Sequence, residues 1–418
     1  MTNIDAAFES WGGYSRDDPF PLFAEARQRG PVHRVTLADG HPAWVIVDYE
    51  TARAALNDAR FSKNMHAAFA SGEGVVAEGL PGPALAKHML AVDPPDHTRL
   101  RRLVASAFTP RRVEELRPRV ERLVHDLLDK VAAAGTEQLV DLVPTFAFPL
   151  PFTVICELLG VDPSERQTLG RELVTLLSPT PDDASWQRAK AASDAVISML
   201  GGLVEQKQTD PRDDLVSALL RAQDESGSLD HQELLSTIFQ LIVAGHDTTT
   251  SLIGNSVVAL LLHPEQLAAL RADESLIAPA IEELLRYDAP VPHATFRFAA
   301  EDVPCGDVTI PKGEQILVSL ASANRDEARY AEPDHLDLAR GDQRHIAFGH
   351  GIHSCLGAPL ARMEGRIAIS SLFGRFPEMR LAVPPEDLHW GHGDGLVLRG
   401  LSSLPVVLGA RADIPDAG

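Results

Sequence analysis

Phe348-Gly349-His350-Gly351-Ile352-His353-Ser354-Cys355-Leu356-Gly357 is the stretch on which the reading of this chain turns. It holds one of three cysteines in 418 residues. Gly349 and Gly351 have no Cβ, so the backbone is free to bend tightly and approach a flat ligand, and an apolar-periodic run starts just after the thiol. Cys355 therefore sits where a helix begins. Unpaired N–H groups and the dipole of a helix N-terminus stabilise a thiolate, the form that ligates metal or attacks an electrophile. The residues alone leave three readings: a buried thiol, a nucleophile, or an axial metal ligand.

Outward from this loop, the chain is long enough to bury a large core with a cofactor inside it, and no linker composition divides it. Cys156 and Cys305 complete a set too small for a disulfide framework, and their spacing does not suggest zinc, so a reducing cytoplasm is expected. Met1 to Arg16 has neither a basic nor an apolar leader region, and no uninterrupted apolar run reaches membrane-spanning length. A soluble protein is expected. The net charge of −21, from 38 basic and 59 acidic residues, argues against nucleic acid or an anionic membrane as the main partner.

In chain order, residues 20 to 29 read as a helix and Val32 to Val35 with Ala43 to Val47 as a hairpin around Ala38-Asp39-Gly40. The glycine- and proline-broken stretch from Asn64 to Leu90 reads as a long loop. Asp93-Pro94-Pro95-Asp96 opens a helix with Asp96 as its expected cap, and His97 and Arg101, four apart, share one face. Residues 111 to 134, 149 to 160, 163 to 178 and 185 to 207 read as helices, with a loop at Ser178 to Asp183. The longest periodic segment runs from Asp230 to Leu262, with Asp230 and Glu233 spaced as a capping box. Its apolar face is interrupted at Ala244-Gly245-His246-Asp247-Thr248-Thr249, where Gly245 is expected to leave room for a ligand and threonine to back-bond to the i−4 carbonyl. A helix over 276 to 287 carries Glu283 and Arg286 at an i,i+3 spacing that is ordinarily a solvated pair. Strands are expected at 294 to 299, 308 to 310, 315 to 320, 396 to 399 and 404 to 408, giving a mainly α fold with a smaller β region.

Phe348, Gly351, His353, Cys355 and Gly357 fit F-x-x-G-x-[HR]-x-C-x-G, and the stretch resembles the haem-thiolate loop of the cytochromes P-450. Ala-Gly-x-Asp-Thr on the long helix, H-x-x-x-R at His97 and E-x-x-R at Glu283 are similar to further motifs of that family and occur in its order. The resemblance is to soluble bacterial members and, more loosely, to those that tailor macrolides and other polyketides. It implies a cytochrome P-450 fold over residues 1 to 418 as a single domain, with haem b between the central helix and the cysteine-loop helix. Cys355 is then the iron ligand, and His97, Arg101, Arg297 and His353 bind the haem carboxylates. Phe348, Gly349, Gly357, Ala244 and Gly245 contact the cofactor, while Asp247 and Thr248 relay protons to O2. A structural ion-pair cluster of Glu283, Arg286 and Arg329 is implied, although the proline usual before such an arginine is missing here.

The implied chemistry is insertion of one oxygen atom into a C–H or C=C bond of a bulky apolar natural product. Electrons come from a ferredoxin and its reductase, because the chain shows no flavin, iron–sulfur or dinucleotide motif. A peroxide-using haem enzyme and a haem sensor or ligand carrier are the rival readings. Candidate pocket-lining residues are Phe69, Val76, Leu90, Leu177, Ile242, His293 and Val397, and a monomer is expected. Arg102, Arg111, Arg112, Arg344 and Arg362 are expected to form a basic patch for the electron donor.

Overall fold

The computed structural model describes residues 15, 17–37, 41–64, 85–133, 139–177, 183–226, 229–391 and 397–410. The first elements are helix α1 (Phe20–Arg29) and strands β1 (Val32–Thr36) and β2 (Pro42–Ile46), paired antiparallel with Val32 opposite Ile46. Helix α2 (Tyr49–Asn57), capped by the Asp48 carboxylate, and strand β3 (Phe61–Ser62) follow. Next come α3 (Asp96–Ala105), α4 (Pro110–Ala132), β4 (Leu139–Asp141), α5 (Pro149–Leu159), α6 (Pro163–Leu177), α7 (Asp183–Thr209) and α8 (Leu215–Ser226). Helices α9 (His231–Leu262), α10 (Pro264–Ala272) and α11 (Ile277–Tyr287) precede β5 (Arg297–Ala299), β6 (Val303–Cys305), β7 (Val308–Ile310) and β8 (Gln315–Val318). Helix α12 (Leu320–Ala323), α13 (Ala358–Arg375), β9 (Arg380–Leu381) and β10 (Pro405–Val407) complete the order.

Helix α9 organises the core. Its start is the expected capping box: the Glu233 N–H donates to Asp230 at 2.7 Å and the Asp230 N–H to Glu233 at 2.9 Å. Its 32 residues rise about 48 Å. Buried residues run without a break from Leu234 to Ile242 and again from Thr249 to Leu260. A helix covered all round is held chiefly by its apolar side chains, and each fully buried Leu, Ile or Val contributes about 1.5–3 kcal/mol relative to exposure. Between those two runs, Val243 to Thr248 lose cover except at His246. Gly365 of α13 lets α9 and α11 close on it: a Cβ there would meet Leu252 at 3.2 Å and Ile281 at 3.4 Å.

The main sheet has the order β1-β2-β8-β5-β3, with β2 and β8 parallel and the other pairs antiparallel. A three-stranded sheet β4-β10-β9 and the hairpin β6-β7 are separate. No helix among the described residues is long and apolar enough to cross a membrane.

Several expectations change. Asp96 does not cap α3; Pro95 occupies the cap with helical dihedrals, and Asp96 instead takes the Arg99 guanidinium at 2.9 Å. Residues 397–399 form no strand, since Arg399 turns to Asp288 at 2.8 Å and the local pairing is one bridge between Trp390 and Leu401. Helices α2, α8 and α10 were not legible as such; at 9, 12 and 9 residues they offer little periodicity to read. The 38–40 turn, most of the 64–90 loop including Phe69 and Val76, and the 178–182 loop lie outside the described residues.

Candidate active site

The cysteine loop is held by its own backbone. The Cys355 N–H donates to the Phe348 carbonyl at 2.8 Å and the Ser354 N–H to the Gly351 carbonyl at 3.1 Å, around a 3-10 turn over Gly351–His353. Gly351 has φ +74°, and a Cβ there would sit 2.6 Å from the Leu56 carbonyl oxygen, so both conformation and packing against α2 demand glycine. Arg101 of α3 donates to the Ser354 carbonyl at 2.8 Å. The Arg362 guanidinium lies 4.5 Å from the centre of the Phe348 ring and is itself held by both Glu282 oxygens, at 2.7 and 2.8 Å. Burial pushes the Glu282 carboxyl up, but the hydrogen bonds from His345 and Arg362 outweigh it and bring the group to about 2.

Burial also raises the Cys355 thiol, while the N–H groups of Gly357 and Ala358 and the charges on Arg101 and Arg362 pull it back toward thiolate. The residue is deeply enclosed and yet its surface is accessible. It therefore faces an internal space.

The uncovered part of α9 is the second wall. Ala244 is exposed in the middle of this core helix and Thr248, one turn on, is half-exposed. Thr248 Oγ1 donates to the Ala244 carbonyl at 2.9 Å, the back-bond expected, and Ser251 Oγ repeats it to the Asp247 carbonyl at 2.9 Å. Asp247 is half-buried, with Oδ1 2.9 Å from His246 Nε2. Gly245 departs from expectation: a Cβ there would meet Ile155 Cγ1 at 2.9 Å. Its missing side chain serves the close approach of α5, and makes no room for a ligand on that side.

The third feature is electrostatic. His97 and His353 lie with ring centres 4.4 Å apart. Among the described residues neither ring nitrogen of His97, nor Nδ1 of His353, has a hydrogen-bond partner of good geometry, the Ile352 backbone being close enough to favour protonated His97 only weakly. Burial drives His353 down to about 3, helped by the positive charges of Lys63, His97, Arg297 and Arg101. Burial likewise brings the Arg297 guanidinium down to about 10 and the Lys63 ammonium well below its ordinary value. Asp93 is the acid that acts on this group, and it is already engaged by Ser62 Oγ and the Lys63 N–H. Sequence reasoning missed Lys63, which nothing local distinguishes from a surface lysine. It is buried because its Nζ donates to the Thr295 and Phe296 carbonyls at 2.8 and 2.6 Å.

The ion-pair cluster forms with a different third member. Arg286 grips both Glu283 oxygens at 2.7 and 2.9 Å, and Arg340 Nε reaches the same two at 3.1 Å. Arg329 instead pairs with Asp342 at 2.6 Å. Of the candidate pocket residues, Ile242 and His293 are fully buried in packed structure and line nothing accessible, whereas Leu90, Leu177 and Val397 are partly exposed. In the expected basic patch, Arg111, Arg344 and Arg362 are paired with Glu115, Asp342 and Glu282, while Arg102 and Arg112 are exposed.

The family model "Cytochrome P450" matches residues 10–387. Cytochrome P450 107B1 of Saccharopolyspora erythraea is 47% identical over 396 residues, spanning 93% of this chain and 94% of that protein. The 6-deoxyerythronolide B hydroxylase of the same organism is 44% identical over 400 residues, spanning 94% and 96%. The tirandamycin C-bound P450 monooxygenase TamI superposes with a TM-score of 0.85 at 45% identity, covering 94% of this chain and 98% of that one.

Proposed function

Because the chain belongs to the cytochrome P450 family of haem-thiolate monooxygenases, we propose that Cys355 supplies the thiolate ligand of haem b and that the substrate is a bulky, largely apolar macrolide or other polyketide. On this reading the chain works as a single domain and monomer in the cytoplasm, taking electrons from a ferredoxin and its reductase. The observation that carries it is a set of basic side chains, Lys63, His97 and Arg297 buried and Arg101 and His353 partly so, on which Asp93 is the acid that acts, beside an enclosed but accessible thiol. The two carboxylates of haem b supply the missing negative charge. Positive charge held out of water with little acid beside it is costly, so such a cluster favours an anionic ligand.

When bound, haem supplies the activation of O2 that no side chain here provides. The chain's own residues do the rest. Cys355 binds through Sγ, with the Gly357 and Ala358 N–H groups setting its basicity. Phe348 and Gly349 shape the loop, and Ala244 leaves the middle of α9 open to the cofactor. Thr248 Oγ1 donates its hydrogen to the Ala244 carbonyl, which leaves its lone pairs to accept from water. Asp247, one residue away, takes up a proton at its carboxylate and hands it to that water. This acid–alcohol pair favours O2 chemistry, since peroxide-using members of the family commonly lack it and a passive haem carrier has no use for a proton relay.

The test is product analysis under ¹⁸O2 with ferredoxin, its reductase and NADPH, using 6-deoxyerythronolide B and a panel of macrolactones as probes. The reading expects a product heavier by one labelled oxygen. Reductant consumption without any labelled product across the panel would contradict the substrate class.

A further inference from the structure

His246 takes no part in the scheme above, yet it is the most completely committed side chain of the α9 interruption. Its ring is 1% exposed and stands edge-on to Phe148 and Phe152, at 5.4 and 5.3 Å between centres. Nδ1 lies 2.6 Å from the Ile242 carbonyl oxygen. A carbonyl only accepts, so Nδ1 carries a hydrogen. Nε2 lies 2.9 Å from Asp247 Oδ1. With Nδ1 already protonated, a neutral ring facing a carboxylate would set lone pair against lone pair across this contact. One further proton must lie between the two groups.

We propose that His246 and Asp247 form a proton-sharing pair, in which His246 is the positioning residue that fixes the Asp247 carboxylate at the edge of the groove and stores the proton Asp247 delivers beside Thr248. This rests on the proposed function. At 3.6 residues per turn Ala244 and Thr248 share a face, while His246 lies roughly 200° round from Ala244, on the buried side. Asp247 sits between those faces, half-buried, so the pair runs from the core to the groove. In the transfer, the Nε2–H bond breaks as an O–H bond forms at Asp247 Oδ1, and the proton passes to water at Thr248 Oγ1. A neutral ring and a carboxylate remain, and bulk water returns the proton through the exposed edge of Asp247.

The surroundings support a stored charge. Burial pushes the imidazole down, but the charge and hydrogen bond of Asp247, with the Ile242 carbonyl, bring it above its ordinary value. From α5 and the turn before it, Phe148 and Phe152 present carbon, and Glu157 on α5 is engaged elsewhere by Arg119 and Arg166. On α7, Lys190 and Asp194 pair with each other at the surface. Among the described residues Asp247 is the charged group that acts on the ring.

The experiment is histidine-¹⁵N NMR on the reduced, CO-bound holoprotein, which is diamagnetic, with His246 assigned by difference from His246→Phe. Both ring nitrogens should be protonated at about pH 7.5, where an unperturbed histidine is roughly tenfold deprotonated. Asp247→Asn should release one of them. A His246 ring that is neutral there and unmoved by Asp247→Asn overturns the proposal. A second arm follows reductant consumption with ferredoxin, its reductase and NADPH against pH. His246→Phe keeps the aromatic packing and should slow consumption at least about tenfold, with loss of the wild-type pH inflection. His246→Gln offers Asp247 an N–H but stores no proton, and should leave the inflection absent. Two well-folded variants that both retain the wild-type pH profile would reduce His246 to packing. Failure of the wild type to show a thiolate-haem spectrum would instead sink the underlying reading, so the two failures are distinct.

Discussion

Glu364 on α13 is 1% exposed, and its Oε1 has no hydrogen-bond partner among the described residues. Burial pushes its carboxyl up from 4.5 to about 8, so the folded protein holds a proton there that the unfolded chain releases above about pH 4.5. Stability must then fall as pH rises between these values, by about 1.4 kcal/mol per pH unit for one proton. Glu364→Gln removes that loss, so urea melts should show the variant gaining on wild type from pH 5 to pH 8; parallel pH profiles would refute this. Thr248→Ala acts on chemistry alone: haem and probe binding should persist while reducing equivalents divert to hydrogen peroxide, measured as peroxide formed per NADPH consumed. Unchanged coupling would remove Thr248 from the relay. At this scale the sequence was informative where a contact stays within one helical turn, as with the back-bond of Thr248 to the Ala244 carbonyl. It was silent on Lys63 and on the His246–Asp247 contact, because burial of a polar side chain is decided by neighbours remote in the chain.

Among the elements, α9 and α5 approach so closely at Gly245 that Gly245→Ala should overpack the contact with Ile155 and cost about 1–3 kcal/mol. Pairing it with Ile155→Ala should recover part of that cost in denaturant melts, and strict additivity of the two changes would argue against the contact. The connection after α12 carries the other test. Glu283 is 1% exposed at its side chain and takes both Arg286 and Arg340. Removing one partner from a buried cluster is expensive, so Arg340→Ala should cost about 3 kcal/mol or more, against about 1 kcal/mol or less for Arg329→Ala. Equal losses would restore the sequence-based choice of Arg329. The long α9 was legible because capping box and apolar run agree over 32 residues. Arg340 was not, because in an irregular segment no periodicity records which side chain turns inward. The same limit hid α2, α8 and α10 and produced a strand at 396–399 that residues 397–399 do not form.

For the whole molecule, a net charge of −21 would oppose association with the proposed ferredoxin if that donor is acidic as well, so attraction would have to be local. Three of the five arginines first considered are tied to acids, which concentrates the free positive surface at Arg102 and Arg112. Exposed charges act within roughly 8 Å at physiological salt and chiefly on association rate. Arg102→Glu or Arg112→Glu should therefore slow reduction by ferredoxin in stopped-flow traces, most at low ionic strength, with probe affinity intact; rates indifferent to both charge and salt would refute it. The central claim is that Cys355 ligates haem as a thiolate, and the reduced, CO-bound visible spectrum tests it most directly. Wild type should show the red-shifted Soret band of a thiolate-ligated haem, and Cys355→Ser should lose that band while its far-ultraviolet circular dichroism stays helical. A wild-type spectrum typical of histidine-ligated haem, or a Cys355→Ser variant that keeps the wild-type band, would contradict it.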